Sequence, residues 1–287
     1  MKKIIKKYLY KYLRNIYYSL DYYFNLKKIN KLKKYNFEIK DINFPMYSTK
    51  NFTNPSWQKK ETDIIINLLK NNETFINLGA NIGYYVCLAS KFKIKIIAVE
   101  PDYFNLKVLF RNIELNNIDD CLVLPMASYS KNSVKPIFGR GVTASLFLNW
   151  DNTEKFDNKD FIQTFKLDEL IKEIDLEKKT FILMDIENSE YETLKGAFKI
   201  LKSKNKPSWI VEVHPTFYSK DNKPSIEFDH IFKLFWDNEY LSFLINDEEL
   251  IKIDQNNYKS NFNSTLKHNH NYLFIDKNKL NNFHYLF

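Results

Sequence analysis

Cysteine, glycine and proline are all scarce in this sequence, at two, five and eight among 287 residues. Cys87 and Cys121 cannot make a disulfide framework, so a reducing, cytoplasmic compartment is expected. No stretch approaches the roughly 20 apolar residues that a membrane-spanning helix needs. Met1-Lys2-Lys3 opens like the basic start of a signal peptide. Lys6, Lys7, Lys11 and Arg14 interrupt any apolar segment after it, so no leader is expected. Two nucleotide-binding loops are excluded as well. A phosphate-cradling loop would end in Gly-Lys-Ser/Thr, which is absent. Gly79 and Gly83 are separated by Ala-Asn-Ile and so do not make the G-x-G-x-x-G of a dinucleotide fingerprint.

The length allows one sizeable core and a small appendage. Lys, Asn, Ile, Phe and Tyr are abundant throughout, which reads as base bias in the gene and carries no functional signal. The net charge of +8 is uneven: residues 1–40 carry +10, and the remainder sums to −2. In residues 2–24, Ile5, Leu9, Leu13, Ile16, Leu20 and Tyr23 recur at steps of three and four, with Lys3, Lys7, Lys11 and Arg14 opposite. A basic amphipathic helix of this kind suits an anionic membrane surface. It equally suits packing on the domain or on a second subunit. No nucleic-acid-binding motif accompanies the charge, so nucleic acid is not an expected partner. Lys27–Lys34 is expected to be a loop or frayed helix. Pro45 and Pro55 mark residues 40–56 as a connector. The expected organisation is an arm and linker over 1–50 and one domain over 51–287.

A helix is expected over Trp57–Leu69. The domain's organising stretch follows. Thr74 to Leu78 reads as a buried strand, Gly79 to Gly83 as a turn, and Tyr84 to Lys91 as a helix. Glycine permits a sharp turn and close approach of a ligand to the backbone. Lys95 to Glu100 reads as a second buried strand ending on an acid. In nucleoside-binding doubly wound folds, an acid about 20 residues after the glycine turn accepts the ribose hydroxyls, and Glu100 stands at that interval from Gly79. Its two oxygens can accept both hydroxyls of a vicinal diol. Asp102 is a candidate N-cap. Leu106, Leu109, Phe110 and Ile113 line the helix after it, and Asn116-Asn117 can close it in the left-handed conformation.

Gly-Ala-Asn-Ile-Gly at 79–83 resembles the first motif of S-adenosylmethionine (AdoMet) methyltransferases. Glu100-Pro101-Asp102, followed by Asn105-Leu106 and by Asn112-Ile113-Glu114-Leu115-Asn116-Asn117, narrows the resemblance to the FkbM-like family. Asp185-Ile186-Glu187-Asn188-Ser189-Glu190 is similar to that family's Asp-x-Glu-Gly-x-Glu block, with Asn188 replacing glycine. Glu212-Val213-His214 matches its Glu-x-His. The resemblance covers residues 57–276. It implies an α/β, Rossmann-like class I methyltransferase fold: a mostly parallel, doubly wound sheet with helices on both faces. It also implies AdoMet as cofactor, with Asn77, Gly79, Ala80, Asn81, Gly83, Glu100, Pro101, Ala127, Ser128 and Asp185 around it. Cys121–Ser128 would be the third strand, its end near the adenine. Asn77 stands where the family usually has Asp, which would weaken cofactor binding.

Residues 129–166 are expected to hold a β-hairpin insert above the site, with Asn149–Asp160 as a polar loop, and Leu167 to start a helix. Asp185 and Glu187 lie two apart at a strand end and would project to one side if the strand continued. Ser189-x-x-Glu192 is a capping-box pattern. Asp185, Glu187 and His214 are expected to converge as the catalytic groups. His214 is the candidate general base, with Asp185 the alternative, and Glu187 and Glu190 would hold acceptor hydroxyls. A divalent metal on Asp185, Glu187 and His214 is compatible with these ligands but not demanded by the motif, and His268-Asn269-His270 lacks a third partner. No metal is therefore assigned. The resemblance implies O-methylation of a sugar hydroxyl in a surface glycan or its precursor. A non-catalytic scaffold keeping the fold is the alternative that Asn77 and Asn188 would favour.

Overall fold

The computed structural model describes residues 31–48, 59–139, 141, 144–147, 159–172, 175, 177–214, 226–246, 249–258 and 270–286. The helix expected over 2–24, most of the polar loop over 149–160, and His268 lie outside these residues.

Strands β1 (Lys33–Ile39) and β2 (Ile42–Ser48) form an antiparallel hairpin. This corrects the loop expected up to Lys34 and the connector expected from residue 40. The physical reason is alternation: Phe37, Phe44 and Met46 are buried, while their neighbours face outward. Pro45 is tolerated because both strands of a two-stranded ribbon are edges, where a missing N–H can face solvent.

Helix α1 (Lys59–Asn71) packs Ile64, Ile65, Leu68 and Leu69 inward. Next come β3 (Thr74–Leu78), α2 (Tyr84–Ala89), β4 (Lys95–Val99), α3 (Tyr103–Leu115) and β5 (Cys121–Leu124). Short β6 (Ala127–Ser128), β7 (Ser133–Phe138) and β8 (Lys159–Phe165) make a separate three-stranded sheet. The expected third strand therefore ends at Leu124, and Ala127-Ser128 belongs to the insert. The helix expected from Leu167 is 3-10, over Leu167–Lys172. The chain continues through β9 (Thr180–Met184), α4 (Glu190–Lys195), α5 (Phe198–Leu201), β10 (Ser208–Glu212), α6 (Ile226–Asp237), β11 (Tyr240–Ile245), β12 (Leu250–Ile253) and β13 (Asn271–Asp276).

The main sheet has the order β12-β11-β13-β10-β9-β3-β4-β5. Strands β10, β9, β3, β4 and β5 run parallel, while β13 is antiparallel to both β10 and β11. All residues of β3 and β9 are buried, as expected for strands covered on both faces. Successive side chains divide between two cores, with Phe75 on one side and Ile76 and Leu78 on the other. After β3 the chain lays down β4 and β5 on one flank, then returns to place β9 and β10 on the other. The switch point lies between β3 and β9, where open α/β sheets bind ligands beyond the strands' carboxyl ends.

Helix α3 begins as expected: Asp102 accepts from the backbone N–H of Phe104 and Asn105, at 3.0 and 2.9 Å. It ends with Asn117 at φ 51°. Phe110 corrects the expected inner face, being 52% exposed, while Asn112 is fully buried. Asn112 Oδ1 accepts from Tyr47 N at 2.6 Å, and its Nδ2 donates to Tyr47 O at 3.2 Å and Ile82 O at 2.8 Å. One side chain thus joins the hairpin to the glycine turn. The expected capping box does not form. Ser189 Oγ has no hydrogen-bond partner, and Glu192 accepts from Ser130 and pairs with Lys195 instead. No described helix is long and apolar enough to cross a membrane.

Candidate functional site

A cavity of about 320 Å³ opens at the switch point. It is lined along the carboxyl edge of the sheet by Asn271, Glu212, Asp185, Asn77 and Glu100, in strand order β13, β10, β9, β3, β4. Each stands at or just beyond the cavity end of its strand.

The turn after β3 is stitched to β4 by Gly79 N and Ala80 N, both donating to Val99 O at 2.9 Å. Gly79 has φ 83°, and a Cβ there would lie 1.8 Å from the carbonyl oxygen of Asp185. Gly83 has φ 92°, and a Cβ there would lie 2.5 Å from Leu109 Cδ1. Both positions need glycine for conformation and for space. The result is a turn whose glycines let its backbone lie tight against the turn after β9 and against α3, with Gly79, Ala80, Asn81 and Ile82 lining the cavity. Asn81, at φ 50°, takes Ile82 N on its Oδ1 at 2.8 Å.

Glu100 is 4% exposed. Its Oε2 accepts from Asn81 N at 2.8 Å, and its Oε1 accepts from Asp102 N at 2.8 Å and Asn105 Nδ2 at 3.2 Å. A carboxylate has about four acceptor sites, so Glu100 keeps one free, on Oε2. It can take one ribose hydroxyl, where the sequence reading gave it two. Burial pushes its pKa up to about 7 against these hydrogen bonds. Pro101, Ala127 and Ser128 line the same end of the cavity, with Ile137, Gly141 and Leu146 from the insert.

Strand β9 does not continue past Met184. Glu187 and Asn188 are at φ 50° and 75°, so a left-handed turn, not strand alternation, brings Glu187 to the cavity beside Asp185. The turn is held by Ser145 Oγ, which donates to Glu187 O at 2.7 Å, and by Asn188 N, which donates to Glu190 Oε1 at 3.2 Å. Asn188 in place of glycine keeps the turn, as asparagine's tolerance of positive φ predicts.

Three expected site residues are placed elsewhere. Gly83 is outside the cavity lining, packed against Leu109. His214 does not line the cavity. Its ring lies 4.3 Å from that of His270, and burial together with that neighbour pushes its pKa down to about 4. Glu190 is buried beneath the turn, outside the cavity lining, and burial raises it to about 8. Glu212 takes the place expected for His214. The register pairs Met184 with Val211, so Asp185 and Glu212 follow at the ends of adjacent strands. Carboxylate oxygens of Asp185, Glu187 and Glu212 lie within 4.8 Å of one another. The charge of Asp185, and then burial, push Glu212 well above the usual carboxylate range. Three such oxygens are also the donor set of a hard divalent cation.

Glu61, Tyr85 and Asn271 were not anticipated. Asn271 Nδ2 donates to Glu61 Oε2 at 2.7 Å, and the Tyr85 hydroxyl donates to Glu61 Oε1 at 3.1 Å. Burial pushes Glu61 up to about 7. An acid in the first turn of a helix ordinarily reads as a dipole complement, which hid Glu61. Glu212 was visible as the acid ending a buried strand.

The sequence matches the model of the methyltransferase FkbM domain over residues 77–242, more than half of the chain. No protein with a curated description matches. Among solved structures, the chain is similar to P. horikoshii TYW2 in complex with MeSAdo, at 14% identity over 84% of this chain and 70% of that one, with a TM-score of 0.41. It is similar to Aeropyrum pernix fibrillarin with natively bound S-adenosyl-L-methionine, at 9% identity over 84% and 81%, TM-score 0.42. M. jannaschii TYW2 in complex with AdoMet matches at 13% identity over 84% of each chain, TM-score 0.36.

Proposed function

The chain belongs to the FkbM methyltransferase family and uses AdoMet as its methyl donor, and from that premise we propose that it methylates a hydroxyl group, that of a sugar in a surface glycan or glycan precursor. The observation that carries this reading is the line of groups along the sheet edge. A glycine cradle and a ribose acceptor sit at one end, and carboxyl groups with no basic neighbour among the described lining residues sit at the other. When bound, the cofactor supplies an electrophilic methyl group on a sulfonium. The residues of this chain do the rest. Glu100 takes one ribose hydroxyl through the free site on Oε2. Ala127, Ser128 and the insert flank the adenine, and Gly79, Ala80 and Asn81 receive the cofactor's methionine end, with Asn77 beside it. The acceptor hydroxyl lies against Asp185, which takes its proton. Glu187 contacts the acceptor from the adjoining turn. Glu212 keeps its own proton and donates to Asp185, fixing that carboxylate in place.

His214, the base expected from the sequence, is not assigned this role, because it does not line the cavity. The basic residues of the first 40 positions are assigned to an anionic membrane surface on the cytoplasmic side, where lipid-linked glycans are assembled. Co-sedimentation with anionic vesicles, unchanged on deleting residues 1–30, would remove that assignment.

The test of the main reading is calorimetric titration of AdoMet, followed by transfer of labelled methyl to glycan fractions. Glu100→Ala is expected to weaken AdoMet binding by about tenfold or more, the loss of a hydrogen bond to a charged group. Label appearing only in nucleic acid or protein would overturn the sugar assignment.

A further inference from the structure

The end of the cavity farthest from Glu100 is built from three elements far apart in sequence. Glu61 comes from the first turn of α1, Tyr85 from α2 and Asn271 from the first residue of β13. All three line the cavity. In the sheet, β13 lies two strands beyond β9 on the side away from β4, and Asn271 is level with Glu212 in the register. At about 4.8 Å per strand, Asn271 stands on the order of 10 Å from the strand end that carries Asp185. The ribose acceptor lies two strands away on the opposite side. A cofactor whose ribose is at β4 and whose methionine end lies over β3 leaves the β10 and β13 end for the acceptor.

The hydrogen bonding of this wall leaves mainly acceptors open, with one N–H of Asn271 still able to donate. Glu61 receives one donor on each oxygen, from Tyr85 and Asn271. Of its roughly four acceptor sites, two are spent. Those that remain, together with the carboxamide oxygen of Asn271, can only accept. Tyr85 stays protonated, because burial and then the charge of Glu61 push its pKa well up. No lysine, arginine or histidine lines the cavity among the described residues, whereas Glu61, Glu100, Asp185, Glu187 and Glu212 do. The described lining residues therefore disfavour an anionic acceptor. An acceptor bringing O–H donors would complete the coordination that Glu61 lacks.

We propose that Glu61, Tyr85 and Asn271 form the acceptor subsite and hold the hydroxyl adjacent to the one that is methylated, so that the acceptor is a neutral vicinal diol of a sugar ring. This rests on the sugar-hydroxyl reading above. Glu61 and Asn271 determine specificity through the neighbouring hydroxyl, and Asp185 remains the group that takes the proton.

The probes are methyl glycopyranosides with vicinal ring hydroxyls, their monodeoxy counterparts and a methyl glucuronide. Each is titrated by saturation-transfer NMR into the full chain saturated with S-adenosylhomocysteine. AdoMet affinity is measured by calorimetry on every variant, which also reports folding. The neutral diols are expected to bind. Removing either hydroxyl, or adding the carboxylate, is expected to weaken binding about tenfold, as for one hydrogen bond to a charged group. Glu61→Gln and Asn271→Ala are each expected to weaken glycoside binding about tenfold and to leave AdoMet affinity within about twofold, well inside one such bond. Asn271→Ala decides the matter if Glu61→Gln does not fold. Glycoside binding unchanged in the variants overturns the subsite alone. A parallel loss of AdoMet affinity also overturns it and assigns the triad to the cofactor. Wild-type protein that binds AdoMet but no neutral glycoside overturns the sugar reading and the subsite together.

Discussion

Two turns end adjacent strands at the switch point, and they meet the same backbone demand by different means. The turn after β3 needs positive φ at positions 79, 81 and 83, and fills two of them with glycine. The turn after β9 needs it at 187 and 188, and fills them with Glu and Asn. The difference is space. At Gly79 the neighbouring turn leaves no room for a Cβ, whereas at Glu187 the side chain is wanted, since it reaches the cavity. A left-handed residue with a side chain costs about 1 kcal/mol. The second turn accepts that cost and is braced by Ser145 and by the buried Glu190. The first turn is a cradle, the second a mount for acids.

Gly79→Ala should break the cradle outright. It combines an unfavourable φ with a 1.8 Å approach to backbone, which cannot yield as a side chain can. The expected loss is more than about 4 kcal/mol, in the range kept for backbone clashes, read by thermal unfolding and by loss of AdoMet binding. Gly83→Ala should cost about 2 kcal/mol. Its clash is with the end of the Leu109 side chain, which can move. Equal losses at 79 and 83 would show that conformation, and not space, sets the demand.

The acids should separate the two turns by pH. Glu190 and Glu61, near the second turn, are raised by burial to about 8 and 7, and Glu100, behind the first, to about 7. A carboxyl raised on folding stabilises fully below its unfolded value near 4.5, and that contribution is lost as pH rises through 7 to 8. His214, lowered to about 4, works oppositely: its contribution is present above 6.5 and lost as pH falls toward 4. Without ligand, stability should therefore fall between pH 6.5 and 8.5 by about 2 kcal/mol, or about 5 °C in Tm. Glu190→Gln should flatten that slope more than any change in the cradle. An unchanged slope in this variant would mean that the second turn does not store the charge. The smallest effect should come from Asn188→Gly. The relief of the left-handed asparagine and the greater freedom of unfolded glycine oppose each other, leaving less than about 0.5 kcal/mol. A loss above 1 kcal/mol would show that the asparagine side chain itself holds the turn.

The same contrast explains what could be read from the residues. The glycine turn, the acid ending β4 and the Asp102 cap are local: their spacing along the chain fixes their chemistry, and they stand where expected. Asp185 and Glu187 were read by strand periodicity, which gives the right neighbours for the wrong reason, because left-handed φ at Glu is not encoded in any short pattern. His214 lost its place to Glu212 because the match was read two residues past the strand's own end, where the register with β9 favours the acid. Glu61 and Asn271 are 210 residues apart, and no local pattern announces that pairing. Pro45 masked a strand because a ribbon with two edges forgives a missing donor. Phe110, read as inward by helical steps, is exposed because Asn112 holds the inward position and ties down the hairpin.

That tie sets an order of assembly. Asn112 meets Tyr47 across 65 residues, and Asn116 reaches Pro45 across 71. On a growing chain the hairpin emerges before every other described element, so its contacts with α2 and α3 are made later. The ring of Tyr84, from α2, lies within 6 Å of both phenylalanine rings, but the polar clasp waits for α3. Until then the ribbon lacks its tie to the glycine turn through Ile82. Closure of the hairpin onto the domain is accordingly complete only when residue 116 has been made.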